Sequence, residues 1–308
     1  MKEKTRVIEL KNSCKNEAME SETTVCASID LQQAIYLPIS NESKIFYRRR
    51  LSIYNLTVYD IGTKDCHCFT WDETQSKRGS SEISTSVYRA LKLYDDKGIK
   101  KAYHSSDGCS GQNKNSITPA MMLYTVTHSV NLEEISLRFF ETNHEQNEGD
   151  SAHSAIGHAL KNAGNVFLPS QVTTVMSLAR PSKPYIVTQM QGEDFVDFKT
   201  LSKDLRIIDA GRDEGFTWNS IMELKVLKSE PNKMFYKTSH LQNTYNVYSL
   251  KRITTSIENC TLKKLNEGAI NISKQKYDDL VSLCSGPIPV VKLENHKMFY
   301  HSLPHDKN

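Results

Sequence analysis

Eight short segments between residues 23 and 161 follow one another in an order that leaves few folds open. Thr23–Asp30 (TTVCASID) is apolar and β-branched and ends on an acid. Leu51–Asp60 (LSIYNLTVYD) alternates, and Cys66–Trp71 (CHCFTW) follows the turn IGTKD, so three strands are expected in succession. Ser80–Leu93 then sets Ile83, Val87, Ala90 and Leu91 at helical spacing behind Ser80 and Ser81, with Glu82 in the first turn. Lys100–Ser106 reads as a strand, Ser116–Ser129 as a helix with Pro119 in its first turn, Glu134–Phe140 as a strand, and Asp150–Lys161 as a helix with Asp150 in the N-cap region. Short turns between the first three strands suit an antiparallel meander, and the later alternation suits parallel additions. The order β-β-β-α-β-α-β-α is that of a ribonuclease-H-like mixed sheet, so an α/β fold of that kind is expected across residues 23–184.

The flanking regions read differently. Residues 1–22 are polar and lack periodicity, as a flexible lead would be. From about Tyr185, YIVTQM, ELKVLKSEPNKMFYKTS and YNVYSLKR read as strands, and Ser273–Cys284 as a helix stopped by Gly286-Pro287. Residues 185–308 are therefore expected to form a smaller α+β domain with its own core. This part is basic: residues 221–308 hold 13 Lys/Arg against 8 Asp/Glu, a balance of +5, while the remaining 26 and 28 leave residues 1–220 at −2. A formal charge of only +3 overall argues against a basic coat for nucleic acid and against an acidic disordered chain, but not against a nucleic-acid enzyme. No apolar run approaches a membrane span, and the first residues lack the apolar stretch of a secretory signal. The cysteines, at 14, 26, 66, 68, 109, 260 and 284, are odd in number and lack zinc-ribbon spacing, so reduced thiols of an intracellular protein are expected.

Three acids stand at the points where such a sheet places chemistry. Asp30 ends the first strand, Asp107 follows the fourth, and Asp150 opens the last helix. In a ribonuclease-H-like sheet the first and fourth strands are neighbours, so Asp30 and Asp107 face each other and the helix brings Asp150 to the same edge. Hard divalent cations take carboxylate oxygens, and such ions stabilise both oxygens of a phosphodiester displacement. Taken singly, each acid also suits a turn or a helix cap. The loop Ser106-Asp107-Gly108-Cys109-Ser110-Gly111-Gln112-Asn113 adds backbone freedom, the amides of Gln112 and Asn113, and a following helix N-terminus suited to an anion. A rival arrangement is a transition-metal hydrolase site built from His144, Asp150 and His153, the last two at i and i+3 on one helix face. Arg48-Arg49-Arg50 suits either a phosphate contact or a solvated strand entry. Asp72, Glu73 and Arg78 can either reach the same edge or pair at the surface.

The pieces VCASIDLQQAIYLP, FYRRRLSIYNLTVYD, WDETQSKRGSSEI, HSSDGCSGQNKN, NHEQNEGDSAHSAI and DDLVSLCSGPIPVVKLENHKMFY, in this order, resemble a family of uncharacterised transposable-element-derived proteins of animals. That family looks like a branch of the DDE/DDD transposases with a ribonuclease-H-like core, and the likeness runs from about residue 23 to residue 303. The resemblance implies cleavage and transfer of DNA phosphodiesters, with Mg²⁺ or Mn²⁺ (two ions) held by Asp30, Asp107 and Asp150 and supported by His153, His144, Gln112 and Asn113. It also implies DNA as partner, a homo-oligomer, a nuclear location, and a sequence-specific DNA-binding region upstream. Two positions depart from the family's pattern. Asn143-His144 stands where members commonly have Gly-His, and Gly157 stands where they commonly have an acid. The alternative is therefore a catalytically inactive, domesticated or relic scaffold of the same fold that binds DNA or protein.

Overall fold

The computed structural model describes residues 2–109, 111–140, 148–207, 210, 216–250 and 256–307. Its elements run α1 (Lys2–Glu20), β1 (Thr24–Leu31), β2 (Ile35–Leu37), β3 (Leu51–Asp60), β4 (Cys66–Asp72), α2 (Ser80–Asp96), β5 (Lys101–Asp107), α3 (Ile117–His128), β6 (Glu134–Phe140), α4 (Glu148–Asn162), α5 (Pro169–Leu178), β7 (Ile186–Gln189), α6 (Phe198–Asp204), β8 (Glu223–Leu227), β9 (Lys233–Lys237), β10 (Asn246–Ser249), α7 (Lys274–Ser282) and α8 (Glu294–His301). All eight expected elements between residues 23 and 161 are present, β3 and β6 with the expected bounds.

The described strands form one mixed sheet in the order β10-β9-β8-β6-β5-β1-β3-β4-β7, with β2 paired to the start of β3. At its centre β1, β5 and β6 are parallel, while β3 runs antiparallel to both β1 and β4. Alternation decides which face each side chain serves. Val25, Ala27 and Ile29 of β1, with Leu56 and Val58 of β3, pack under α2, α3 and α6. Leu51 and Ile53 of β3, with Cys66 and Cys68 of β4, pack on the other face under α4, α5, α7 and α8. The result is an α/β/α arrangement with the sheet buried on both sides.

Two expectations about the flanks are corrected. Residues 2–20 are helical rather than an irregular lead. Cys14 is buried with Cys26 and Ile61, while Lys11–Glu148 (2.9 Å) and Lys101–Glu17 (3.5 Å) tie the flanks of α1 to its neighbours. The strands beyond residue 184 join the same sheet: β7 pairs in parallel with β4, and β8 pairs antiparallel with β6. Phe195, Phe198, Leu224 and Val226 enter the α2–α3 core, and Leu280 and Tyr300 enter the α4–α5 core. Among the described residues, 185–308 thus extends the first unit's sheet and cores rather than enclosing a core of its own.

Candidate metal centre

Strands β1 and β5 are in register at Ile29↔Ser106. One step further along both lie Asp30 and Asp107, side by side on strands about 4.8 Å apart, at the carboxyl ends where open α/β sheets collect ligands. On its other side Asp30 is paired with Thr57 of β3. The third carboxylate arrives from above. Gly149 lets the first turn of α4 settle on β1, since a Cβ there would lie 2.6 Å from the Asp30 Cβ. Asp150 and His153, at i and i+3, then share the face turned toward the strand. One ligand atom from each of Asp30, Asp150 and His153 lies within 4.8 Å of the others.

The imidazole of His153 is held at both nitrogens. Its Nδ1 is 3.3 Å from Asp30 Oδ2, and its Nε2 is 3.0 Å from Thr57 Oγ1. Beneath it, Gln32 Nε2 donates to the His153 carbonyl at 3.4 Å, and Asn55 Nδ2 donates to Gln32 Oε1 at 2.9 Å and to Thr57 Oγ1 at 3.2 Å. Gln32, Asn55 and Thr57 are buried and were not singled out from the sequence. The available signal was Asn55 and Thr57 at i and i+2 of an otherwise apolar strand, which puts two polar groups on one buried face.

Asp107 stands across a cleft of about 230 Å³ that Asp30, Ile83 and Gln112 also line. Its carboxyl is raised above the ordinary carboxylate range, first by burial and then by the charges of Asp30 and Asp150. Electrostatics therefore couples all three acids, while the tightest ligand group is Asp30, Asp150 and His153. The loop after β5 is built as a wall. Gly108 is packed so closely that a Cβ would meet Lys114 Cε at 2.9 Å and the Phe140 carbonyl at 3.2 Å. Gln112 and Asn113 both line the cleft, and Asn113 is held there by its Nδ2 donating to Ser106 Oγ at 2.7 Å. At the start of α3, Asn115 Oδ1 accepts from the Ile117 amide at 2.9 Å, so a side chain already serves one of its first donors.

Other candidates lie elsewhere. Arg48 and Arg49 both bind Asp279, at 3.0 and 2.8 Å, and Arg50 lies over the Tyr36 ring. Glu73 accepts from Lys276 and from the Ser52 amide, while Asp72 is buried against Thr74. Arg78 is exposed on the loop before α2. None of Asp72, Glu73 and Arg78 lines the cleft. Gly157 is exposed, with open space around a built Cβ; it stands seven residues, roughly 10 Å of helix rise, beyond Asp150, outside the ligand group. His144 and Asn143 lie outside the described residues. The cysteines are all free thiols, and no described helix is long and apolar enough to cross a membrane. Comparison with protein-family models, with curated proteins and with solved structures gave no match for this chain.

Proposed function

We propose that this chain carries the core of a DDD-type transposase or integrase-like protein, which cleaves and transfers DNA phosphodiesters with Mg²⁺ or Mn²⁺ at Asp30, Asp107 and Asp150. The observation that carries the reading is the β1–β5 register, which sets Asp30 beside Asp107 while Gly149 admits Asp150 to the same edge. The central order β6-β5-β1-β3-β4, with its strand directions, supports a ribonuclease-H-like sheet, whose first strand lies between the second and the fourth. The donor set also fits a divalent ion. One ligand atom from each of Asp30, Asp150 and His153 lies within 4.8 Å of the others, so an inward movement of these side chains brings them onto one ion at bonds of about 2.1 Å, and Asp107 faces the group from the cleft.

A bound ion would activate the attacking water or DNA 3′-hydroxyl and stabilise the leaving oxygen. The chain's own groups define the rest. Asp30 and Asp150 supply oxygens from two elements, and Asp107 supplies a third from across the cleft. Gln112 and Asn113 offer amides on the cleft wall. The +5 balance of residues 221–308 supports a contribution of this region to DNA contacts.

The test is incubation of the chain with supercoiled and nicked DNA in Mn²⁺, beside Asp30→Asn and Asp107→Asn. Cleavage or strand transfer lost in both variants is expected; cleavage unaffected by Asp107→Asn would refute the assignment. Gly157 favours a second reading, an inactive scaffold that keeps the fold, because the family it resembles commonly has an acid there. That reading predicts DNA binding without cleavage, and no gain on Gly157→Glu.

A further inference from the structure

The hydrogen bonds around His153 form a circuit that begins and ends on this one residue. Its carbonyl accepts from Gln32 Nε2, which orients the Gln32 amide so that Oε1 accepts from Asn55 Nδ2. That in turn fixes the Asn55 amide group, whose second hydrogen points to Thr57 Oγ1 at 3.2 Å. The circuit closes where Thr57 Oγ1 meets His153 Nε2 at 3.0 Å. A hydroxyl accepts two hydrogen bonds and donates one. When Asn55 and His153 Nε2–H are its donors, the Thr57 hydroxyl hydrogen is left for Cys68 Sγ, 3.9 Å away.

Of the two tautomers these partners admit, the one with its hydrogen on Nε2, donated to Thr57 Oγ1, leaves a lone pair on Nδ1. That lone pair faces Asp30 Oδ2 at 3.3 Å, inside the group that includes Asp150. A nitrogen lone pair and two carboxylates on one point repel unless a cation lies between them. A histidine that ligates through one nitrogen commonly has its other N–H held by a hydrogen-bond acceptor that fixes ring and tautomer.

Resting on the metal-dependent reading above, we infer that His153 Nδ1 is itself a ligand, with Thr57 its positioning residue, so that the site prefers a divalent transition ion to Mg²⁺. The chemical reason is the donor set. Mg²⁺ takes oxygens and holds its waters, whereas imidazole adds affinity for first-row transition ions. Thr57 touches no reacting atom. Its part is to hold the imidazole over Asp30, and losing such an outer partner typically lowers metal affinity about 10–100-fold.

The experiment is Mn²⁺ binding to the full chain, followed by electron paramagnetic resonance with Mg²⁺ competition, and with electron-spin-echo detection of ¹⁴N coupled to the bound ion. The wild type is expected to show ¹⁴N coupling and to hold Mn²⁺ against an excess of Mg²⁺ that displaces it from His153→Ala. His153→Ala should lose the coupling and most of the discrimination while still binding through its carboxylates. Thr57→Val should weaken Mn²⁺ about tenfold or more, and Thr57→Ser should restore it. Circular dichroism of each variant separates a lost ligand from a lost fold. Bound Mn²⁺ without ¹⁴N coupling, equally held by His153→Ala, would overturn this inference and leave the carboxylate site standing. Failure of the wild type to bind Mn²⁺ would overturn both.

Discussion

Gly149 rests on Asp30 so closely that a Cβ at 149 would come within 2.6 Å of the Asp30 Cβ and 3.2 Å of its Oδ2. The contact joins a helix start to a strand end, and it sets how near Asp150 and His153 can come to Asp30. Gly149→Ala must lift α4 or displace β1. Overpacking of this kind costs about 1–3 kcal/mol, and the displacement separates Asp30 from Asp150 and His153. Urea denaturation should show the loss of stability, and Mn²⁺ titration should show weaker binding than in the wild type. Unchanged values in both would mean that the close approach has no structural role.

Asp107 carries a repulsive charge. Burial raises its carboxyl pKa, and Asp30 and Asp150 raise it further. A carboxyl raised in the folded state binds its proton more tightly there than in the unfolded chain. Its favourable contribution is complete below the ordinary carboxylate value of 3.8 and is lost as pH rises through the folded value. At pH 7 the ionised group therefore opposes folding. Asp107→Asn should be more stable than the wild type at pH 7, with the difference shrinking toward pH 3.8. A variant less stable than the wild type at neutral pH would contradict the electrostatic account.

His104 is enclosed by the α2-side core, and burial alone pushes its pKa from 6.5 down to about 4. Between these values the unfolded chain binds a proton that the folded chain refuses, so stability falls as pH drops through this window. The depression corresponds to about 3 kcal/mol at pH 4. His67, lowered by burial first and then by Lys97, pulls the same way. Replacing His104 by Leu should flatten the pH dependence of denaturation midpoints between pH 4 and 6.5. A slope as steep as in the wild type would assign the acid sensitivity elsewhere.

The central elements were legible because their faces are periodic. Val25, Ala27 and Ile29 alternate toward one core, and Ile83, Val87 and Leu91 repeat at helical spacing. The approach of Asp30 and Asp107 followed from strand order, since parallel neighbours carry their ends to one edge. What escaped notice lacks such a pattern. Helix α1 docks through Cys14 and two ion pairs to its neighbours, so its sequence shows no apolar stripe. Helix α5 begins at Pro169, and Gln171 accepts from the Phe167 and Leu168 amides, a cap set in an otherwise bland stretch. The separate C-terminal domain failed for a related reason. Strands such as β7 and β8 carry the same local signal whether they begin a new sheet or lengthen an old one. The His153–Thr57 contact spans 96 residues and has no local signature at all.

The basic run before β3 illustrates the same limit, because only its partner decides its role. Asp279 of α7 is buried, and its two oxygens meet Arg48 Nη1 at 3.0 Å, Arg49 Nη1 at 2.8 Å and the Arg49 amide at 3.1 Å. Burial by itself would raise this carboxyl, but the Arg49 amide and the two guanidinium groups outweigh it and hold the pKa below the ordinary carboxylate value. The associated stability is present above pH 3.8 and is lost as pH falls through the folded value. Both arginines are about half exposed, so solvent screens the pairs, and the partly buried hydrogen bonds carry most of the effect. Asp279→Ala should cost about 2 kcal/mol at pH 7, because it removes charge-assisted bonds that fasten α7 to the entry of β3. The loss should shrink as pH falls below 3.8 toward the lowered value of the folded carboxyl. If Asp279→Ala is as stable as the wild type at pH 7, the arginines are free for another partner, and a phosphate backbone becomes their natural ligand.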